Sequence, residues 1–330
     1  FFCMFFAEVY AGNVSRINLS MNTDWAFFRG DIENGESITA DDSCWMPVSI
    51  PHIMQLERKH CGGDVIYDGI GWYRRYFTLD PEYRDKNIRI AFEGVMTSCK
   101  VYLNGYEITE NHGGYIGFIA DITGKVNFDG NNVLAVRVSA EYDPLTPPGK
   151  PQSDLDFYYY SGIYRDVEMI ISDKLYVTDP LEENEIAGGG LFVAFDKVSD
   201  TFAEVLLQLQ VRNETKKAFT GVVEYELQQP DGKQVAFLND KVKIKPGKTV
   251  TSSDKLLVQR PMLWTPSTPT LYNLLVRVRD EQGNVIDGYR RRIGIRSIEF
   301  KGKDGFWLNG KPYEKPLIGA NRHQDFAVVG

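Results

Sequence analysis

Two acidic, ring-rich stretches hold the side chains best suited to chemistry. Asp68 stands within Tyr67-Asp68-Gly69-Ile70-Gly71-Trp72-Tyr73-Arg74-Arg75, and Asp154 and Asp156 precede the triple tyrosine Tyr158-Tyr159-Tyr160. A carboxylate accepts hydrogen bonds from hydroxyl groups, and an aromatic ring packs against the apolar C–H face of a sugar. Carbohydrate binding is the chemistry that this pairing of groups suggests. The competing reading is structural, because most aromatic side chains of a β domain are buried and acids in turns are solvated. Composition by itself favours the structural reading. Other reactive patterns are missing: the chain has no nucleophile elbow, phosphate loop, dinucleotide fingerprint or H-E-x-x-H. His52, His60, His112 and His323 are too scattered for a metal cluster, and Cys3, Cys44, Cys61 and Cys99 have no C-x-x-C spacing.

The elements that must position these residues are strands. Asn87 to Phe92, Ser98 to Leu103 and Asn132 to Ser139 alternate or run apolar over strand lengths, with no competing period of 3.6. Asn104-Gly105, between Lys100-Val101-Tyr102-Leu103 and Tyr106-Glu107-Ile108-Thr109, predicts a two-residue hairpin turn, since both central positions need positive φ. Residues 143–154 contain Pro144, Pro147, Pro148, Gly149 and Pro151, and read as a stiff exposed loop. A second β unit follows from about 174 to 296, with Val205 to Val211, Gly221 to Gln228 and Leu271 to Asp280 as strands. Pro230-Asp231-Gly232 and Asp280-Glu281-Gln282-Gly283 mark its turns. About seven strands in that length suit an immunoglobulin-like sandwich. The basic stretch from Lys241 to Lys255 reads as a solvated hairpin, and Arg290-Arg291-Arg292 as alternating strand residues rather than an anion site.

Length and charge bound the rest. The 330 residues are enough for about two domains. A net charge of −8 argues against a nucleic-acid partner. No uncharged apolar run reaches about 18 residues, so no membrane span is expected. Phe1 to Phe6 is apolar, and Val9-Tyr10-Ala11 then leads into Gly12-Asn13-Val14-Ser15. This grammar predicts that residues 1–12 are the remnant of a signal peptide and that the protein is periplasmic or secreted. At the other end, Pro316 to Asp325 reads as an apolar strand with a polar tip. A lone strand is no domain, so more chain is expected after it.

Gly71-Trp72-Tyr73-Arg74-Arg75-Tyr76-Phe77, the run from Phe92 through Leu103-Asn104-Gly105, and Ser161-Gly162-Ile163-Tyr164-Arg165-Asp166-Val167 resemble the amino-terminal sandwich of glycoside hydrolase family 2. Leu263-Trp264-Thr265-Pro266-Ser267-Thr268-Pro269-Thr270-Leu271-Tyr272 resembles that family's immunoglobulin-like domain. Gly319-Ala320-Asn321-Arg322-His323-Gln324-Asp325 resembles its first barrel strand, with Ala320 where valine is frequent. The resemblance implies an all-β chain in three parts. A galactose-binding-like jelly roll covers 13–172, an immunoglobulin-like sandwich covers 173–297, and 298–330 begin a truncated (β/α)8 barrel.

The implied activity is that of a retaining exo-β-glycosidase, first of all a β-galactosidase acting on a β-linked oligosaccharide or glycoside. Its two catalytic glutamates fall beyond residue 330, so the resemblance assigns no catalytic residue here and implies that this chain alone is inactive. By resemblance Asp156 reaches the sugar and, in some β-galactosidases, a sodium ion. His323 likewise hydrogen-bonds the sugar at the nonreducing end, and Asp68 lies in a variable loop beside the site. Arg165 and Asp166 are read as a structural pair. No organic cofactor is implied, and a sodium or magnesium ion and a homo-oligomer belong to the full-length enzyme. The β-glucuronidase and β-mannosidase branches share the scaffold. A non-catalytic carbohydrate-binding or surface-attachment protein of two sandwiches is the alternative class.

Overall fold

Apolar residues at every second position bury one face of a strand and wet the other. That period builds nearly all of this molecule. The computed structural model describes residues 16–57, 66–155, 157–186, 188–321 and 328. They gather into two compact units: residues 17–171 with 321 and 328, and residue 16 with residues 172–320. Helix among the described residues is limited to the turn Pro180–Glu183 and to the 3-10 turns Pro81–Tyr83, Gln152–Asp154 and Gly302–Asp304. The all-β expectation holds.

The first unit is a sandwich of antiparallel sheets. Its six-stranded sheet runs Met46–Val48, Trp25–Arg29, Ile70–Phe77, Asn132–Ser139, Ser98–Leu103, Tyr106–His112. Its four-stranded sheet runs Ile17–Ser20, Val167–Ser172, Asn87–Phe92, Phe118–Asp121, so the unit's first and last strands are neighbours, as in a jelly roll. Trp25, Phe27 and Tyr73 from one sheet meet Ile88, Ile90 and Phe92 from the other in a shared core. The Asn-Gly hairpin forms as expected, with Asn104 at φ 52° and Gly105 at φ 87°.

Strand Ile70–Phe77 departs from simple alternation because it is buried on both faces. Its inner face carries Gly71 and Tyr73. Its outer face carries Trp72 and Arg74, and the segment from Gly30 to Trp45 covers them. Arg74 is fully buried there. It donates to Asp42 (2.9 Å) and to the carbonyls of Gly35 and Ser37 (2.8 Å each), and lies over the Trp45 ring. A guanidinium is tolerated in such a place only because its donors are met.

The second unit is another two-sheet sandwich. Phe202–Asn213 is flanked by Leu175–Val177, Leu191–Asp196 and Lys248–Gln259 in one sheet; the other runs Gln234–Ile244, Phe219–Gln228, Tyr272–Asp280, Val285–Ile293. Gly232 and Gly283, both at φ 86°, close the predicted turns. The hairpin expected across Lys241 to Lys255 is corrected. Gln234–Ile244 and Lys248–Gln259 belong to different sheets, and the turn at 245–247 arches between them. Ile244 and Leu256 thereby point into the same core, which a flat hairpin would not allow.

Residues 298–312 add a three-stranded sheet, Ile298–Phe300, Phe306–Leu308, Lys311–Pro312, whose second turn is again Asn-Gly, at 309–310. The strand expected from 316 is corrected in its described part. Residues 316–321 are exposed and make no ladder among the described residues, because an apolar segment needs a neighbouring strand to pair with. Residues 1–15, including the leader expected at 1–12, and the polar tip around His323 lie outside the described residues.

Arg74→Ala should lower unfolding free energy by about 3 kcal/mol, since it takes the cation from Asp42 and leaves two carbonyls without that donor. Arg84→Ala, which removes an exposed 3.3 Å pair with Asp129, should cost under about 1 kcal/mol. Urea denaturation of both variants checks the contrast.

Candidate functional site

The most specific sequence motif turns out to be a backbone lock. Gly162–Ile163 pairs with Val95–Met96 on one side. On the other side His52 N donates to Ile163 O (2.8 Å) and Met54 N to Ser161 O (2.7 Å). Gly162 has φ +144°, and a Cβ there would lie 2.5 Å from His52 O and 2.7 Å from Ile53 Cα. Only glycine lets the three segments come this close. Ile53 and Gln55 pair in turn with the backbone of Val328 (2.9 Å each).

The residues after the lock tie it down. Asn22 donates to Asp166 and accepts from Val167 N (2.9 Å each). Arg165 lies over the Tyr164 ring, whose hydroxyl donates to Gly114 O (2.6 Å). In place of the expected structural pair, Arg165 and Asp166 each meet a neighbour of their own, in the bend between Gly162–Ile163 and Val167–Ser172.

The loop before the lock carries the acids and tyrosines. Leu155 and Phe157 flank position 156, and Asp156 itself lies outside the described residues, as does His323. Gln152 grips the loop around this position: its Oε1 accepts from Tyr159 N (3.2 Å) and its Nε2 donates to Phe157 O (2.5 Å). Asp154 is exposed and accepts from Ser153 (3.1 Å), which fits its reading as a solvated turn acid. Asp68 is exposed on the segment leading into Ile70–Phe77, and has Tyr159 as an electrostatic neighbour.

The structure adds residues that no spacing revealed. Tyr115 and Tyr142 come from two other loops and act electrostatically on the Tyr159 phenol, which burial foremost keeps above the usual phenol range. The Tyr159 hydroxyl donates to Lys150 O (3.3 Å), so its oxygen remains as an acceptor. Nearby, Arg29 clamps Glu57 through both carboxylate oxygens (2.8 and 2.7 Å) and lies over the Tyr67 ring. Gln55 accepts from Tyr67 N (2.8 Å) and donates to Glu57, fixing the approach to Asp68.

The described residues hold no group of three or more His, Cys, Asp or Glu side chains able to ligate a metal. The oxygens of Asp143 are committed to Leu145 N and Thr146 Oγ1 within their own turn. In the second unit a polar hollow beside Phe192, Gln208 and Gln210 has a volume of about 50 Å³, room for a water or two but not for a sugar ring.

Behind the lock, His52 is buried and shares a 2.9 Å hydrogen bond with the Tyr73 hydroxyl. Burial lowers its pKa to about 4. The unfolded chain, with histidine near its ordinary 6.5, therefore binds a proton that the folded chain refuses between those values. Stability conferred by neutral His52 should be complete above pH 6.5 and fall as the pH drops to about 4, by on the order of 3 kcal/mol. Urea midpoints at pH 7, 5.5 and 4.5 should show this slope, and His52→Gln should flatten it; an equal slope in the variant refutes the assignment.

Comparison with known proteins follows the same division. The family model described as "Glycosyl hydrolases family 2, sugar binding domain" matches residues 63–172, and that described as "Glycosyl hydrolases family 2" matches residues 189–296. A β-galactosidase of Thermoanaerobacter pseudethanolicus is 31% identical over 94% of this chain and 39% of its own length. A β-glucuronidase of Formosa agariphila is 28% identical over 90% of this chain and 31% of its own length. The solved structure of Bacteroides uniformis β-glucuronidase 2, covalently bound to cyclophellitol-6-carboxylate aziridine, superposes with a TM-score of 0.80 at 29% identity, covering 90% of this chain and 34% of that one. A calcium-binding mutant of that enzyme matches as well, with a TM-score of 0.79 at 29% identity over 90% of this chain and 35% of that one. The chain spans between about three and four tenths of the length of these relatives. With two models of one family matching more than half of its residues in consecutive order, the chain belongs to glycoside hydrolase family 2.

Proposed function

We propose that this chain is the amino-terminal part of a retaining exo-β-glycosidase, foremost a β-galactosidase, and that it supplies sugar-binding loops to a site completed by a later catalytic domain. The observation that carries the reading is the anchored loop of residues 140–160. Its end is fixed by the Gly162 lock, its middle is gripped by Gln152, and it lies within the match to the family's sugar-binding domain.

In double displacement, one carboxylic acid protonates the leaving oxygen while a carboxylate roughly 5–5.5 Å away attacks the anomeric carbon. Neither group is assigned to this chain. Asp156 is proposed to accept a hydrogen bond from a sugar hydroxyl, and His323 to hold the sugar at the nonreducing end. Asp68 would add a second acceptor beside Tyr159. A sodium or magnesium ion at Asp156 is part of the proposal for the longer protein, and no step is routed through it. Calcium in a related enzyme supports ion binding within the family without placing an ion here. No organic cofactor is indicated.

The β-glucuronidase relatives favour a second reading, a uronide substrate. The apolar start followed by Val9-Tyr10-Ala11 supports export to the periplasm or the medium. A homo-oligomer is proposed for the longer protein.

The longer gene product should hydrolyse 4-nitrophenyl β-D-galactoside with retention of configuration, faster than the glucuronide or mannoside, and the purified 330-residue chain should hydrolyse none. Preference for the glucuronide decides for the second reading; turnover by the 330-residue chain overturns the division of labour.

In the longer protein Asp156→Asn should lower kcat/KM about tenfold or more, the worth of one charged hydrogen bond. Asp154→Asn should leave it nearly unchanged. Steady-state kinetics showing the reverse would mean that the acids have been assigned in the wrong order.

A further inference from the structure

We infer that Gln152 is a positioning residue for sugar binding, whose side-chain amide stands in for a neighbouring strand and holds residues 157–159 in place. Its Nε2 donates to Phe157 O (2.5 Å) and its Oε1 accepts from Tyr159 N (3.2 Å). A residue in a parallel ladder makes the same two bonds, to the carbonyl before its partner and to the amide after it. Phe157 O can only accept and Tyr159 N can only donate, so the two ends of the amide cannot be exchanged.

The clasp is itself anchored. Pro151 leads into the turn Gln152–Asp154, where Asp154 N donates to Pro151 O (3.0 Å) and Leu155 N to Gln152 O (3.2 Å). From the other side the Tyr159 hydroxyl donates to Lys150 O (3.3 Å). Residues 150–152 therefore hold 157–159 through three bonds. Further on, Tyr160 is buried with its ring centroid 5.4 Å from that of Tyr158, and Ser161 O accepts from Met54 N (2.7 Å). Gln152 is half-buried and stands outside the hydrophobic core of the unit, so it shapes this loop rather than supporting the sandwich.

Its link to the sugar rests on the glycosidase reading, in which Asp156, next in sequence to Phe157, accepts a hydrogen bond from a sugar hydroxyl. Ordering a peptide segment when a ligand arrives costs binding free energy, and a segment already held avoids that cost. A loop shape that serves the bound sugar and the transition state alike acts on KM and leaves kcat as it was. Gln152 is assigned no contact with the sugar; it acts through the backbone of residues 157–159.

Steady-state kinetics of the longer gene product test this, on whichever 4-nitrophenyl glycoside the wild type turns over fastest. Gln152→Ala should raise KM about tenfold and leave kcat within about twofold of wild type. Gln152→Glu separates positioning from mere support. Near neutral pH its carboxylate still accepts from Tyr159 N but has no proton for Phe157 O, so KM should match that of Gln152→Ala. As the pH falls toward about 4.5, the ordinary range of a glutamic acid, the carboxyl gains a proton and donates to Phe157 O. Its KM should then return to within about threefold of wild type at the same pH, while the ratio for Gln152→Ala stays level. That second variant retains every other titrating group of the loop and so controls for them. An unchanged KM in Gln152→Ala, or a Gln152→Glu ratio that ignores pH, overturns the inference. So does a joint fall of kcat and of the thermal unfolding midpoint in Gln152→Ala, the mark of a merely structural role. A wild type that hydrolyses none of the galactoside, glucuronide and mannoside instead refutes the glycosidase reading, and the link to the sugar with it.

Discussion

A missing Cβ at residue 162 is the constraint on which the loop face of the first unit depends. At this position the backbone threads between Val95–Met96 and residues 52–54, near enough that His52 O stands 2.5 Å from where a methyl carbon would be. The hydrogen bonds gained on both sides fix one end of the tyrosine-bearing loop to the sandwich. They also press His52 into the interior beside Tyr73 and Phe27, where burial holds the imidazole neutral. A motif recognisable in sequence as a family signature is thus explained by backbone packing, and its influence on binding passes through the loop it anchors.

Two buried charges, Arg74 and Asp287, show how the fold meets such groups. Arg74 occupies the outer face of the six-stranded sheet, and its donors reach Asp42, Gly35 and Ser37, which pins the 30–45 segment over Trp72. In the second unit Asp287 is completely buried and receives Arg16 through both oxygens together with Val177 N. Either carboxylate or guanidinium left alone would cost more than the pair contributes. Such arrangements do more to choose one covering segment over another than to add stability. In the second sandwich Arg277 and Arg279 share Glu224, and Arg277 also reaches Glu226. These side chains are only 13–30% exposed, so removing one partner would leave a largely buried charge unmatched.

Strands and turns were legible in the sequence because their causes are local. Alternating or continuous apolar runs place Asn87–Phe92, Ser98–Leu103 and Asn132–Ser139 where they stand, and the Asn-Gly pair at 104–105 takes the positive φ that its turn needs. The same local signals cannot say which sheet a strand joins. The arch at 245–247 looks like a hairpin in sequence because a tight turn has similar residues whether its strands pair or part. The segment from 316 looks like a strand because it is apolar, although only a partner makes it one.

The sequence by itself determined an all-β chain of two sandwiches and pointed to carboxylates beside tyrosines as the place for sugar chemistry. It did so because pleat period, turn residues and side-chain chemistry are properties of short segments. Only the tertiary structure set Tyr115, Tyr142 and Asp68 within electrostatic reach of Tyr159, clamped Glu57 with Arg29, and joined Gln152 to the backbone of Phe157 and Tyr159. Those groupings bring residues from as far apart as 68 and 159 together through sheet order and close backbone approach. Sheet order follows from which apolar faces bury one another across the whole unit, and no window along the chain contains that information.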